Sequence, residues 1–471
     1  MVAISTLADE VLRLLLPVEH ELLVFAAFWF AIGLIDELAI DLVWLWMRLT
    51  ERVRTHVLPR GFGRQPLKGK AAVLIPAFQE AEVIATTVRH MLSAWPHNAL
   101  RLYVGCYAND PATLAAAMEG AAGDPRVRLV VHGAQGPTTK ADCLNRLYQA
   151  LCSEEERSGE ACRMILLHDA EDMVHPAALA ALDQAMERHD FAQLPVRPTL
   201  SPASRWIAGH YADEFAESHA KAMVVRSALG AAIPAAGVGC AFSRAAMARL
   251  AAYRAQEGEA GPFAPECLTE DYELGLMLSQ EGRGSTFLRM RDTAGALVAT
   301  GSYFPGELTA AVRQKTRWVH GIAFQGWERM GWSGRPLDLW MALRDRRGPL
   351  TALVLFAAYL LLVIDGVLFA AKAAGLHSGL ALSPLLTWLL GFSFAGFLWR
   401  AVMRGAFTAR EYGWREGLIA VLRIPVSNVI AIMAGRRALV AYLRSLVSGR
   451  VTWDKTAHQA HPATPLLEVR T

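Results

Sequence analysis

The stretch MILLHDAED, residues 164–172, decides the fold of this chain. Its apolar first half followed by a cluster of acids is typical of a buried strand that ends at a polar edge. Similar strands precede it at 71–75, 101–107 and 127–131, and helical patterns occupy 80–93, 111–122 and 138–151. Strands that recur about every 30 residues with helices between them predict β-α-β units and a parallel sheet. We therefore expect an α/β domain over residues 68–335.

Polar residues follow the predicted strands at the places where such a sheet binds ligands, the carboxyl ends of its strands. Pro76, Ala77 and Glu80 follow the first strand, and Asp110 follows the second. Lys140 opens the third helix. These residues are therefore candidates for contacts with a bound ligand.

Each of these candidates has a use if the ligand is a nucleotide diphosphate sugar. Asp169 and Glu171 lie two residues apart at a strand end and offer hard oxygen ligands to one divalent cation. A Mg²⁺ or Mn²⁺ ion there would neutralise charge on a diphosphate leaving group. Lys140 adds positive charge to the same phosphates. Asp110 can accept hydrogen bonds from a base edge, and the backbone around Ala77 can pair with that base.

Two later segments complete the candidate site. Asp271 is a candidate general base for an acceptor hydroxyl. Its neighbour Glu270 is the rival, because one residue of rotation at a helix start decides which side chain enters the cleft. Gln314, Arg317 and Trp318 are spaced i, i+3 and i+4, so they share one helical face that can offer a cation and an aromatic ring to pyrophosphate and sugar.

Taken singly, each signal also has a purely structural explanation. The acidic cluster could be a solvated loop, and Thr-Glu-Asp could be an N-cap with acids at the positive end of a helix. The Gln, Arg and Trp stripe could be packing with snorkelling. The order of the pieces favours function, because each falls at a strand end or a helix start.

The composition predicts a membrane protein with a soluble part. Hydrophobic residues make up 53% of the 471 residues and charged residues only 19%, against about 25% in average soluble domains. Spans are expected at about 22–47 within an N-terminal region of residues 1–67, and at about 350–371 and 380–399. The net charge of +3 gives no case for a nucleic-acid partner.

Arg and Lys cluster after the first span, before the second and after the third, which places the N-terminus outside and the α/β domain in the cytoplasm. The apolar stretch at 417–447 is interrupted by Arg423, Pro425 and Asn428. We interpret it as amphipathic segments in the cytoplasmic interface, with a fourth span as the alternative. A weakly ordered tail is expected at 448–471. The acids between Asp36 and Asp41 are either functional or part of a helix contact.

The ordered series of motifs resembles the family 2 inverting glycosyltransferases with the GT-A fold. The resemblance implies an α/β GT-A domain with a Rossmann-like mixed sheet, inserted between transmembrane helices. It also implies that Asp110 binds uracil and that Asp169 and Glu171 bind the metal. Asp271 would be the base. The segment Gln314 to Trp318 would hold product and pyrophosphate.

Finer details resemble a narrower group, the inner-membrane phage-adsorption protein B type. They are HDAED at 168–172, RWVHGIAFQGW at 317–327 and WDKT at 453–456. Members of that group make a surface exopolysaccharide, which suggests an N-acetylhexosamine donor and leaves room for an outer-membrane export partner. Longer members add a cyclic-di-GMP-binding domain, and direct control by that nucleotide is not expected here. Glu171 stands where many relatives have Asp, which leaves Glu171 and Asp172 as alternative metal ligands.

The sequence therefore predicts an enzyme of the bacterial inner membrane that moves a sugar from a UDP-sugar to a polysaccharide or lipid-linked acceptor. The sequence leaves processive and single addition open. The main alternative is a catalytically inactive scaffold of a surface-polysaccharide or phage-receptor system. A nucleotidyltransferase would share the strands and acids but would not need the Gln314 to Trp318 segment or the flanking spans.

Overall fold

A computed structural model describes residues 2–201, 204–280, 282–376, 382–448 and 461–463, with side chains from Leu12 onward. Residues 377–379, between the second and third predicted spans, and the WDKT stretch at 453–456 lie outside the described residues, as does most of the tail. The helices are α1 (Val2–Leu49), α2 (Ile84–Ala94), α3 (Pro111–Ala121), α4 (Lys140–Ser158), α5 (Ala178–Ala185), α6 (Ile207–Glu217), α7 (Met223–Ala228), α8 (Arg244–Gln256), α9 (Glu270–Gln280), α10 (Leu308–Val319), α11 (Gly326–Met330), α12 (Pro336–Arg346), α13 (Gly348–Ala373), α14 (Pro384–Tyr412), α15 (Trp414–Leu422) and α16 (Ile424–Ser448).

The strands are β1 (His56–Val57), β2 (Lys70–Pro76), β3 (Leu100–Tyr107), β4 (Val127–His132), β5 (Cys162–Leu167), β6 (Phe191–Gln193), β7 (Val196–Thr199), β8 (Cys240–Ser243), β9 (Ser285–Phe287), β10 (Met290–Arg291) and β11 (Thr300–Tyr303). A 3₁₀ turn covers Phe62–Arg64, and π-helical turns cover Ser218–Ala222 and His320–Gln325.

The main sheet has seven strands in the order β4-β3-β2-β5-β8-β6-β9. The first four are parallel, in the positions that the sequence predicts. The parallel arrangement predicted for these four strands is confirmed. Beyond β5 the sheet is mixed, because β8 runs antiparallel to both β5 and β6. The mixed sheet implied by the family resemblance is confirmed. Pairing of β8 with β5 connects segments about 75 residues apart, and local periodicity carries no information on such pairing.

Apolar side chains cover both faces of the sheet, as the alternation along β2 requires. Val73 and Ile75 enter a core completed by α2, α3 and α5, whereas Ala72 and Leu74 enter a second core completed by α4, α8 and α9. Helices on both faces leave the carboxyl ends of the strands as the open edge.

Four helices in the described part of the chain are long and apolar enough to cross a membrane: Leu12–Leu49, Gly348–Ala373, Pro384–Tyr412 and Ile424–Val447. The first is part of α1, which begins at Val2 and continues through Pro17, well before the predicted start at residue 22. Leu12, Leu15 and Leu16 pack against Ile364 and Leu368 of α13, so tertiary packing extends the helix.

The acids of α1 dock the α/β domain onto the helices. Asp36 pairs with Arg344 and, at 2.7 Å, with Arg347, and it accepts a hydrogen bond from Trp340. Glu37 lies 3.0 Å from Arg344.

One helical turn further along α1, Asp41 pairs with Lys221 of the π-helical turn Ser218–Ala222. Trp399 of α14 donates to the other Asp41 oxygen at 2.7 Å. The sequence leaves two explanations open for these acids, a functional role or a helix contact. The structure shows that they form a contact between the helices and the α/β domain.

The helices α15 and α16 are separate, with Arg423 between them. Arg423 is fully buried and its guanidinium binds both oxygens of Asp213 in α6, at 2.8 and 2.6 Å. The helix α16 packs against both α13 and α10. It therefore lies along the boundary between the helices and the α/β domain.

Candidate functional site

A cavity of about 710 Å³ lies at the carboxyl ends of the strands and extends to the helices α1 and α14. Of the candidate residues from the sequence, those that line it are Pro76, Ala77, Glu80, Lys140, Asp169, Glu171, Asp172, Glu270, Asp271, Gln314, Arg317 and Trp318. Asp110 is not part of its lining. The fold thus brings together twelve residues that are spread over about half of the chain.

Lys140 lies at the centre of the acids. A capping box starts α4 one residue earlier, where Thr139 and Asp142 bond each other's backbone N–H, so Lys140 projects from the first helical turn. Its Nζ lies 2.5 Å from Asp169 Oδ1. Burial lowers the pKa of Lys140, but the surrounding carboxylates of Asp169, Glu270 and Asp271 outweigh burial and raise this pKa above its usual value. Lys140 is therefore positively charged, paired with Asp169 and influenced electrostatically by Glu270 and Asp271.

The two candidates for the second metal ligand, Glu171 and Asp172, have different surroundings. Asp172 is 1% exposed and its Oδ2 accepts hydrogen bonds from His168 Nδ1 at 2.8 Å and from the Asp169 N–H at 3.0 Å. Burial raises the pKa of Asp172, against the opposing effect of His168. Asp172 therefore shapes the turn that carries Asp169 and Glu171.

Glu270 and Asp271 open α9, where Glu270 is buried and Asp271 is partly exposed to the cavity. Burial, together with the Asp271 charge, raises the pKa of Glu270 to about 7, although Lys140 opposes this shift. Burial also raises the pKa of Asp271, and Lys140 again opposes the shift. Two carboxyl groups with raised pKa values next to one lysine are suited to accepting a proton near neutral pH.

Gly237 packs directly against the side chain of Asp271. Its φ is +73°, and a Cβ built on it would lie 2.5 Å from Asp271 Oδ2 and 3.4 Å from Lys140 Nζ. Both the left-handed backbone and the missing side chain are therefore needed at this position.

Gln314, Arg317 and Trp318 face the cavity from α10. Gln314 Oε1 is buried and accepts no hydrogen bond from the described residues. Trp318 belongs to an aromatic cluster with Tyr211, Phe215 and Phe304, with ring centroids 6.0 to 6.5 Å from its own. The cluster presents an apolar wall suited to stacking against a sugar ring.

The π-helical turn His320–Gln325 ties α10 to the segment before α9. Gln325 Oε1 accepts from the Leu268 N–H at 2.9 Å, and Gln325 Nε2 donates to the Glu266 carbonyl at 3.2 Å. Gly321 lies against Thr269, whose Oγ1 would be 2.5 Å from a Cβ at residue 321. The two segments that carry the candidate base and the candidate product contacts are thus one packed unit.

Asp110 has a structural role in this arrangement. Its Oδ1 caps α3 through the Thr113 N–H at 3.3 Å, and its Oδ2 accepts from the Gln79 N–H. Gln79 has a φ of +55°, so this bond holds the strained turn after β2. The role of Asp110 in base binding stays a prediction.

The sequence reasoning missed the aromatic residues near this turn. Tyr107 stacks on His132 with ring centroids 5.1 Å apart, and Phe78 meets Tyr107 edge-on at 5.2 Å. Phe78 and Tyr107 line the cavity. The sequence did carry a signal for them, because Phe78 directly follows Ala77 and Tyr107 ends the second predicted strand. A search for charged and polar residues at strand ends does not find these aromatic residues.

A substitution at Gly237 tests the position of Asp271. Gly237→Ala would force Asp271 Oδ2 aside, so we expect turnover of a sugar donor to fall by ~10²-fold, the low end of the value of a positioned acid or base. Gly230→Ala is the matched control, because Gly230 has φ +72° but open space around a Cβ. Equal losses of turnover in the two variants would mean that backbone strain, and not contact with Asp271, causes the effect.

Comparison with known proteins agrees with this geometry. Residues 69–321 match a family described as glycosyltransferase like family 2. The bacteriophage adsorption protein B of Escherichia coli (strain K12) is 33% identical over 452 residues, which cover 90% of this chain and 60% of that protein. The bacteriophage N4 adsorption protein B of Escherichia coli O157:H7 gives the same values. The chain thus spans about 60% of the length of these relatives.

Two solved structures are more distantly similar. A mannosyltransferase from Pyrobaculum calidifontis in complex with GDP-Man and Mn²⁺ gives a TM-score of 0.47 at 18% identity, over 86% of this chain and 99% of that one. Glucosyl-3-phosphoglycerate synthase from Mycobacterium tuberculosis gives 0.33 at 16% identity, over 54% and 77% of the two chains. The family match covers more than half of the residues, and this chain therefore belongs to glycosyltransferase-like family 2, with a catalytic domain of the GT-A fold.

Proposed function

We propose that this protein transfers a sugar, with inversion, from a UDP-sugar to a polysaccharide or lipid-linked acceptor during exopolysaccharide synthesis at the bacterial inner membrane. An N-acetylhexosamine is the proposed sugar, and export would require an outer-membrane partner. The observation that carries the proposal is the convergence of Lys140, Asp169, Glu270 and Asp271 in one cavity that also contains Arg317. A scaffold without activity would have no need to gather three acids and a lysine in one cavity.

The proposed reaction uses Asp271 as the general base. In an inverting transfer the acceptor hydroxyl attacks the anomeric carbon on the side opposite to the UDP, so its proton must go to a carboxylate on the acceptor side. Asp271 is suited to this role because it belongs to α9. Asp169 and Glu171, which would lie next to the phosphates, follow β5 instead. The raised pKa of Asp271 favours proton uptake. Lys140 and Arg317 would balance the negative charge of the diphosphate as it leaves.

The residues present fit a divalent cation that the substrate helps to hold. No group of three or more His, Cys, Asp or Glu side chains in the described part of the chain is arranged to hold a metal. Asp169 and Glu171 supply two carboxylates on the cavity wall, and Mg²⁺ or Mn²⁺ is commonly held by one or two carboxylates together with substrate phosphates. The cation would supply charge neutralisation at the leaving diphosphate.

Membrane topology follows from the orientation of the basic clusters and from one contact of the tail. His461 is 2% exposed, and its Nε2 lies 3.2 Å from the Asp172 carbonyl. This contact supports a C-terminal tail on the same side of the membrane as the catalytic domain. If α1 crosses into the cytoplasm and α13 and α14 cross out and back, the chain after α14 is again cytoplasmic. The contact of His461 therefore favours α16 in the membrane interface over a fourth span.

Replacement of the base separates catalysis from binding. We expect Asp271→Asn to lower sugar transfer by ~10²–10⁴-fold while UDP-sugar affinity stays nearly unchanged. Glu270→Gln is the matched control. Normal transfer in Asp271→Asn with none in Glu270→Gln would reverse their roles, and normal transfer in both would refute a general base at the start of α9. The inactive scaffold would show no transfer in the wild-type chain either.

The pH profile provides an independent check on the acids at the start of α9. A raised carboxyl pKa means that the group takes up a proton while the pH is still near neutral, and a protonated carboxyl cannot act as a base. Because burial raises the pKa of the proposed base Asp271 above its usual range, we expect transfer to decline with falling pH at a higher pH than an exposed aspartate would give. A profile that stays flat down to pH 5 would contradict the assignment.

Removal of the metal tests the role of Asp169 and Glu171. We expect excess EDTA, or Asp169→Asn, to reduce transfer by at least ~10²-fold, as for loss of a major electrostatic stabiliser. Binding of Mn²⁺ to the protein should become measurable only when UDP is present, because the protein alone supplies two ligands. Full turnover in EDTA would refute the metal requirement.

Reporter fusions test the topology. We expect a reporter inserted after Gly375 to be periplasmic and one fused after Thr471 to be cytoplasmic. A periplasmic C-terminal reporter would show that α16 crosses the membrane.

A further inference from the structure

The cavity does not end at the catalytic acids. Its lining continues to Arg400 and Arg404 of α14, which lie one helical turn apart and therefore on one face of that helix. Two like charges at this spacing repel each other unless anions lie nearby. The two arginines differ in how closely carboxylates of the protein approach them.

Arg400 has its anions in the protein. Its Nη1 lies 3.1 Å from Glu37 Oε2 and 2.6 Å from Glu217 Oε1. Its charge is therefore balanced by α1 and by α6.

Arg404 is different. Its nearest ion-pair partner in the described structure is Asp213, 3.9 Å from Nε, and both oxygens of Asp213 are already bound by Arg423. The Nε and Nη2 atoms of Arg404 are buried and have no hydrogen-bond partner in the described residues. A guanidinium with two buried donors and no acceptor requires an acceptor from elsewhere.

The position of Arg404 indicates which acceptor. Arg404 lies in the last third of α14. This end of the candidate span is the one that contacts the catalytic domain. Lipid phosphates are found at this depth, and arginine binds phosphate oxygens through paired N–H donors.

The same region is connected to the sugar-binding end of the cavity. Glu214 of α6 forms an ion pair with Lys315, and Lys315 Nζ lies 5.4 Å over the ring of Trp318. Arg404, Glu214 and Trp318 all line one cavity, so a ligand bound at Arg404 can extend toward Asp271.

We propose that Arg404, with Arg400 beside it, binds the phosphate of a lipid-linked acceptor at the membrane end of the cavity. This inference rests on the proposed transferase function and selects the lipid-linked acceptor over a neutral polysaccharide. The lipid chain would lie along the helices, and the group to be extended would lie toward Trp318.

Binding to the purified full chain in detergent tests this assignment. The probes are a polyprenyl phosphate, the polyprenol of the same length, and inorganic phosphate. We expect the polyprenyl phosphate to bind at least ~10-fold more tightly than the polyprenol, since charge-assisted hydrogen bonds distinguish the two. Equal affinities of the wild-type chain for these two lipids would overturn the proposal without the need for any variant.

Substitution of Arg404 locates the site. We expect Arg404→Gln to remove the preference for the phosphate and to leave thermal stability unchanged, because no protein group loses a hydrogen bond. Arg415→Gln is the control, since Arg415 is an exposed arginine that lies over Trp414 and does not line the cavity. A preference that survives in Arg404→Gln would overturn the assignment.

Competition identifies the source of the phosphate. If the polyprenyl phosphate displaces inorganic phosphate from an Arg404-dependent site, the lipid is the ligand. If inorganic phosphate binds there and the lipid does not displace it, the lipid-linked acceptor is refuted. All binding is measured without a sugar donor, and Asp271→Asn should bind the lipid as the wild type does. Failure of this inference is thus distinguishable from failure of catalysis.

Discussion

The structure depends on three carboxylates in α1, a helix long and apolar enough to cross a membrane, that cannot remain unpaired. Asp36, Glu37 and Asp41 lie in α1, and charges in a span are costly unless they face partners. Their partners come from the catalytic domain and the helices beside it: Lys221, Arg344, Arg347 and Arg400. Burial of these ion pairs requires the domain to sit directly on the helices. The cavity between them, with Glu37 in its wall, is a result of that docking.

A second charge balance operates inside the catalytic domain. Asp169, Glu270 and Asp271 come from two separate segments and would repel one another in a buried place. Lys140 makes their approach possible and itself remains charged because of them. A bound diphosphate and cation would bring charges of both signs into this set, so the acids are arranged for a site that is complete only with its substrate.

The sequence predicted the parts of the fold that depend on local pattern. The strands β2 to β5 and the polar residues after them were placed to within a few residues, because apolar runs and turn residues act over short distances. The antiparallel β8, the extension of α1 before residue 22 and the contact of Gly237 with Asp271 were not predicted, since each depends on a segment far away in the chain. Asp110 shows the same limit, because a residue after a strand can cap the next helix as readily as bind a ligand.

The side chain of Gln325 has a consequence for how binding of the proposed donor and acceptor would be coupled. Its amide bonds the Leu268 N–H and the Glu266 carbonyl, so α10 and the start of α9 share one rigid connection. Under the proposed function, occupancy at Trp318 and the orientation of Asp271 would then be thermodynamically linked. Such linkage is reciprocal. If acceptor binding favours one orientation of Asp271, then fixing Asp271 in that orientation raises the affinity for the acceptor by the same factor. The order in which donor and acceptor bind would therefore alter the route to the ternary complex and leave its total binding free energy unchanged.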